Sequence, residues 1–337
     1  MNSLERIKAT IQFQKTDRVP VIAQVFGHAS TFAGVNLREY ISDGAVLARG
    51  QLRALEHYQY DAVFALMDVN VESEAVGSRL TYRENEYPVI KSYVAESTEL
   101  KDLRIPDPRQ AGRMPELLKA AGILNNEVGD AVLVVGCVVG PMTLATQLLG
   151  MERALYLAID DPETFEKWLD FSTDVCIRFG TAQLESGVHL PIVFDPASTP
   201  DVIPPQFYRE FVMPHVKRVF RTFKKAGSLA NWLHTAGPVA SILPYYSQIG
   251  VDIANIDYCV DPLHAIEIVP KTCIDGNIKP FSFMQETPGA IARESSKLIK
   301  IFADRGGFIL SSGCEIPRES KPENITAMVM ETRQEGN

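Results

Sequence analysis

The sequence predicts an α/β fold: one (β/α)8 TIM barrel domain over residues 1–337, with an N-terminal helix and a hairpin-like insert after the second strand. Three observations predict it. Eight short, β-branched apolar runs recur along the chain, each followed by a polar turn and then a helical stretch. The runs are almost continuously apolar, which marks strands buried on both faces, as parallel sheets require. No low-complexity segment or flexible linker divides the 337 residues, and barrels of this kind exceed 250 residues as one domain. A doubly wound open sheet shares the alternation and is the alternative architecture.

Taken in order, residues 1–13 are helical in period and precede the first run, so a helix is expected to cover the barrel bottom. The strand runs are 18–26, 61–67, 130–139, 190–197, 229–237, 251–258, 271–280 and 306–313. Residues 78–95, GSRLTYRENEYPVIKSYV, read as a hairpin inserted after the second run, beside the barrel mouth where βα loops carry function. Helices between the runs have recognisable ends. PETFEKWLDFSTDVCIRFGTAQLESG is acidic in its first turns and stops at Gly187. PPQFYREFVMPHVKRVFRTFKKAG starts on prolines and ends on lysines before Gly227, and TPGAIARESSKLIKIFADRGG behaves the same way.

Composition excludes several classes. A formal charge of −9 and a pI near 5.3 argue against a nucleic-acid or anionic-membrane surface. No apolar run is long enough for a membrane span, and the charged, amphipathic start has no signal-peptide core. The five cysteines are scattered and odd in number, so reduced cytoplasmic thiols are expected, free for packing, metal binding or catalysis.

In a barrel, chemistry sits where strands end. Those positions hold Gln24 and His28; Asp68, Asn70 and Glu72; Cys137; Asp195; His234 and Thr235; Asp257 and Cys259; Asn277 and Lys279; and Cys314 with Glu315 in FILSSGCEIP. His234, Cys259 and Cys314 come from the fifth, sixth and eighth runs, around half a rim. Imidazole and thiolate suit Zn²⁺, and three protein ligands leave a coordination position open for chemistry. The plainer readings are packing for Cys137, Cys176 and Cys273, and solvated or structural roles for His57, His189, His215 and His264. Asp68 and Asp195 each end an apolar run, where a carboxylate serves either a site or a helix cap.

RIKATIQFQKTDRVPV, GCVVGPMTLATQLLG, FDPASTPDVIPPQFYREFVMPHVKRV, GNIKP and SSGCEIPRESKPENITAM, in that order from about residue 4 to 332, resemble the uroporphyrinogen decarboxylase superfamily. Within it they look closer to the corrinoid-dependent methyltransferases of the methylcobamide:coenzyme M type. The resemblance implies a barrel with its site at the C-terminal mouth. It also implies a zinc ion held by a His-x-Cys pair after the fifth strand and a Cys after the eighth. His234 and Cys314 match two of these positions, and HTAG puts Ala236 at the third. Cys259 is the first replacement candidate, followed by Asp195, Cys137 and Glu315.

The expected function is zinc-dependent exchange of a methyl group between a small substrate and the cobalt of a separate corrinoid protein. The corrinoid must arrive on a partner, since the chain has no D-x-H-x-x-G motif. With the His-x-Cys pair broken, transfer from substrate to corrinoid is favoured, as in an O-demethylase component acting on a methyl ether or methanol. His234, Cys314 and Cys259 are the metal candidates; Asp68, Asp195, Glu72 and Asn277 are the candidates for substrate contacts and positioning. The alternative is the metal-free uroporphyrinogen decarboxylase, with Asp68 as its aspartate. Against it, the first βα loop, GHASTFAGVNLREYI, holds only Arg38, where a polycarboxylate substrate calls for clustered arginines. A barrel that has lost its chemistry and serves as a scaffold is the non-enzymatic reading.

Overall fold

In the computed structural model, which describes residues 1–334, seven parallel strands form one curled sheet. They are β1 (Ala62–Ala65), β4 (Leu133–Val139), β5 (Leu190–Phe194), β6 (Trp232–His234), β7 (Ile253–Asn255), β8 (Cys273–Ile278) and β9 (Phe308–Ser312). They neighbour one another in chain order, which is the order of a TIM-like barrel. The two remaining strands, β2 (Arg79–Thr81) and β3 (Val89–Ser92), pair antiparallel as a separate hairpin between β1 and β4.

Strand side chains alternate between two layers, as the period of two demands. On β4, Leu133, Val135 and Cys137 belong to the core inside the curl, while Val134, Val138 and Val139 pack outward against helices. Phe64 on β1 and Ile192 and Phe194 on β5 likewise point inward, onto Trp232 of β6 and Ile309 of β9. The expected N-terminal helix is Ser3–Ile11; its Leu4 and Ile7 join the inner core at the start of the strands and plug that end.

The first apolar run departs from expectation. Residues 18–26 make one parallel bridge, Val21 to Leu310, instead of a strand. Pro20 has no N–H to donate, and the Val21 N–H goes to the Asp61 carboxylate at 2.8 Å. Past Ile22 the chain turns on itself, with Val25 N–H bonded to Ala23 O, and the ladder stops. The segment still touches both sheet edges: Leu310 N–H donates to Pro20 O, and Asp61 N–H to Val21 O. The helix expected over 204–227 is also interrupted. Pro205–Phe207 runs into a wide π turn at Tyr208–Val212, and regular helix resumes at Met213–Lys225. Pro214 removes one donor from the ladder at that point, which is where a π turn is tolerated. The other two helices form as read, Pro162–Glu185 capped by Asp161 and Pro288–Phe302 capped by Thr287.

Candidate active site

At the carboxyl ends of the strands lies a cavity of about 290 Å³. Phe26, Leu66, Phe194 and Pro196 make much of its wall, and Asp68, Asn70, Tyr87, His234, Cys314 and Glu315 supply its polar groups. A larger groove of about 760 Å³ lies elsewhere, between residues 258–263 and 282–301. The smaller cavity is the candidate site because polar groups converge there inside an apolar shell.

His234 is the last residue of β6, opposite Phe194 in the register, and their rings lie 4.5 Å apart. Only 1% of it is exposed, and neither ring nitrogen has a protein partner. Burial pushes its pKa down to about 3, so the imidazole is neutral, with one donor and one acceptor to offer. Cys314 follows β9, and burial holds its thiol up at about 11.

Glu315 joins three loops at the cavity edge. Its Oε1 accepts from Tyr87 Oη at 2.6 Å and from the Gly27 N–H at 2.9 Å. Glycine at 27 leaves room for this contact, since a Cβ there would stand 2.7 Å from the Tyr87 hydroxyl and push it away. Desolvation raises the Glu315 carboxyl to about 7. Tyr87 comes from the β2–β3 turn, and Asn70 Nδ2 donates to Pro88 O of the same turn at 2.8 Å. The insert is thereby pinned over the site.

Asp68 lines the cavity, but both its oxygens are engaged. Oδ1 accepts from the Asn70 N–H at 2.8 Å and from Arg113, and Oδ2 pairs with Arg113 as well. Arg113 is spent in turn on Glu74 at 2.7 Å and on Ile41 O. Glu72, Asp195 and Asn277 do not line this cavity. Glu72, raised to about 7 by burial, accepts from the Val139 N–H at the end of β4. Asp195 caps the helix Pro141–Leu149, accepting from both the N–H and the hydroxyl of Thr143 at 2.7 Å. Gly140 makes that possible, since a Cβ at 140 would stand 2.4 Å from the Asp195 side chain. Asn277 donates to Val260 O at 2.8 Å and so holds the loop after β7.

The three metal candidates are not brought together. His234 and Cys314 border the cavity, whereas Cys259 is exposed and lines the larger groove. Ala236 borders the cavity beside His234 and Cys314, so the position of the missing thiolate is kept without its donor. Among the described residues no group of three His, Cys, Asp or Glu side chains could hold a metal ion. The residues present therefore do not fit a three-ligand zinc. Sequence reasoning did not find Arg113 or Tyr87. A buried Asp68 calls for a cation, but nothing local says which arginine, 45 positions away, supplies it.

A model of the uroporphyrinogen decarboxylase (URO-D) family matches residues 2–335. The chain belongs to that family. Among family relatives it is 28% identical over 226 residues to the methylcobamide:CoM methyltransferase MtaA of Methanosarcina barkeri, covering 66% of this chain and 64% of that one. It is 25% identical over 333 residues to MtbA, a methylcobamide:CoM methyltransferase of Methanosarcina acetivorans, covering 96% of both. The uroporphyrinogen decarboxylase of Syntrophotalea carbinolica is 27% identical over 306 residues, covering 88% of this chain and 85% of its own. A solved methyltransferase structure from Methanosarcina mazei superposes with a TM-score of 0.90 at 24% identity, covering 99% of each chain. That likeness places the fold within the family's barrel. No helix among the described residues is long and apolar enough to cross a membrane.

Proposed function

We propose that this family member is a corrinoid-dependent methyltransferase, its residues 1–337 forming one domain that works in the cytoplasm with a separate corrinoid protein. The methyl group passes between a small substrate and the partner's cobalt, and transfer from substrate to cobalt, as in an O-demethylase component, is the favoured direction. The observation that carries this reading is the cavity itself: largely apolar, open at its mouth, and bordered by His234, Ala236 and Cys314, where the family's methyltransferases are expected to hold their reactive group. The corrinoid supplies a cobalt that takes or gives the methyl. Around the cavity mouth, Val69, Val89, Tyr258 and Phe281 are exposed apolar side chains that a docking partner would cover.

The chain's own residues bind and orient. The apolar walls exclude water from the reacting carbon, and neutral His234 donates an N–H to the substrate oxygen that carries the methyl. As the C–O bond breaks and the methyl passes to cobalt, that oxygen leaves as alkoxide or phenolate held by the N–H, and takes a proton from solvent on release. Glu315 and Tyr87 hold the edge of the cavity in place. No step is assigned to zinc, because Ala236 supplies no donor.

The decarboxylase remains the second reading, favoured by the place of Asp68 at the end of β1 on the cavity wall. The pairing of both Asp68 oxygens with Arg113 speaks against it, because the arginine beside Asp68 is already neutralised. The deciding experiment mixes the chain with a reduced corrinoid protein and candidate methyl donors and follows the cobalt spectrum. Methylation that is lost in His234→Gln supports the proposal. Consumption of uroporphyrinogen with no change at cobalt would replace it with the decarboxylase.

A further inference from the structure

The charge around the cavity restricts what can enter. Among the described residues that line it there is no lysine or arginine, and two of its polar groups are the carboxyls of Asp68 and Glu315. Arg113 stands behind Asp68 and is consumed by two carboxylates and a backbone carbonyl. The nearest outer groove, about 560 Å³, shares Tyr87, Cys314 and Glu315 with the cavity. It carries one arginine, Arg318, which donates to Ser30 and lies 3.8 Å from Glu319. An anion entering here would lose its water and find no cation to replace it, a heavy desolvation cost. A neutral, apolar molecule would instead gain from leaving water.

His234 adds the polar requirement. It is 1% exposed, both its ring nitrogens lack a partner, and it borders this cavity. Buried groups of this kind are rarely left unpaired without a ligand or water to satisfy them. Size follows from volume, since a cavity of about 150 Å³ holds benzene and this one is about 290 Å³.

Building on the methyl-transfer reading, we infer that the cavity selects an uncharged, largely apolar substrate about the size of a substituted benzene, oriented by a hydrogen bond to His234, and rejects anionic substrates such as sulfonates and carboxylates. Selection by charge is a property of this chain's lining, in which an anionic thiol or a polycarboxylated tetrapyrrole has no counter-charge.

The test measures binding to the whole chain by titration calorimetry, without any corrinoid protein, using 2-methoxyphenol as the neutral probe and 2-sulfanylethanesulfonate as the anionic one. The histidine ring nitrogens are followed by NMR in the same samples. The expected result is saturable binding of the neutral probe alone, with the His234 resonances moving as it binds. His234→Gln should weaken that binding about tenfold, the worth of one buried hydrogen bond. Val89→Lys places a cation at the rim on an exposed residue, and should strengthen binding of the anion about tenfold or more. The inference is overturned if the wild type binds the anion as tightly as the neutral probe, or if the neutral probe binds without moving His234. Because binding is read without turnover, the two readings fail separately. Neutral binding with no methyl transfer to any corrinoid protein would sink the methyltransferase reading and leave the selectivity standing. Methyl transfer from or to an anionic substrate would do the reverse.

Discussion

Ala236 is the residue at which this chain departs furthest from the pattern it otherwise follows. It lines the cavity together with two potential donors, so a thiol there would supply the third member of a His-Cys-Cys set. Ala236→Cys should therefore bind about one zinc per chain by elemental analysis where the wild type binds none in stoichiometric amount, and Ala236→Cys with Cys314→Ala should lose it again. Stoichiometric zinc in the wild type, lost in Asp257→Ala, would show instead that the carboxylate bridging the loops after β6 and β7 serves as third donor. Asp257 Oδ2 already accepts from the Gly237 N–H at 3.0 Å. Asp275 makes a second residue-scale test. It is fully buried inside the curl, accepts from Asn255 at 2.8 Å, and desolvation raises its carboxyl to about 7. The folded chain thus keeps a proton that the unfolded chain releases above about pH 4, so this stability is present at low pH and lost as pH rises through 7. Asp275→Asn abolishes the dependence, and its melting temperature relative to wild type should rise between pH 5 and pH 8.

At the scale of elements, the β2–β3 hairpin is the part of the chain that the site holds and that in turn shapes the site. The contacts that fasten it include Tyr87 to Glu315, Asn70 to Pro88, Tyr82 to Glu74 and the Arg38 N–H to Glu84 O. Tyr87→Phe removes the first, a loss of about 1 kcal/mol. That is small against global stability but concentrated in one hairpin of four- and three-residue strands. Trypsin should cut faster after the exposed Arg83 in this variant, with urea unfolding shifted by no more than about 1 kcal/mol. An unchanged cleavage rate would mean that the hairpin is held by something other than the site. The hairpin was legible in the sequence because polar turn residues separate its two strand segments. Its hold on Glu315 was not, since the partners are 228 residues apart.

At the scale of the whole molecule, the end of the sheet opposite the site is closed by charge. Asp61, wholly buried, accepts from Arg6 at 2.7 Å, from Arg18 at 2.8 Å, from Ser3 and from the Val21 N–H. One carboxylate thereby ties the N-terminal helix, the 18–22 segment and β1 together. Asp61→Ala leaves two arginines facing each other at a buried position, and should cost about 3–5 kcal/mol in urea unfolding. A loss under about 1 kcal/mol would show that apolar contacts of Leu4 and Ile7 close this end unaided.

The strands, their parallel order, the N-terminal helix and the insert follow from local periodicity and turn chemistry, and seven of the eight expected strands formed. The first did not, because a proline and a competing carboxylate took its hydrogen bonds, and competition of that kind depends on which residue folds next to which. The same distinction divides the site. The strand ends hold polar residues by sequence alone, and His234, Ala236, Cys314 and Asp68 do share one cavity. Which carboxylates are spent on structure was decided only in three dimensions. Asp195 went to a helix cap, Glu72 to a strand end and Asp68 to Arg113, while Cys259 turned out to the surface. Sequence carries residue type and spacing along one chain. Partnership between buried charges is set by distance across the fold, where desolvation makes every unpaired group costly and so determines which ones remain free.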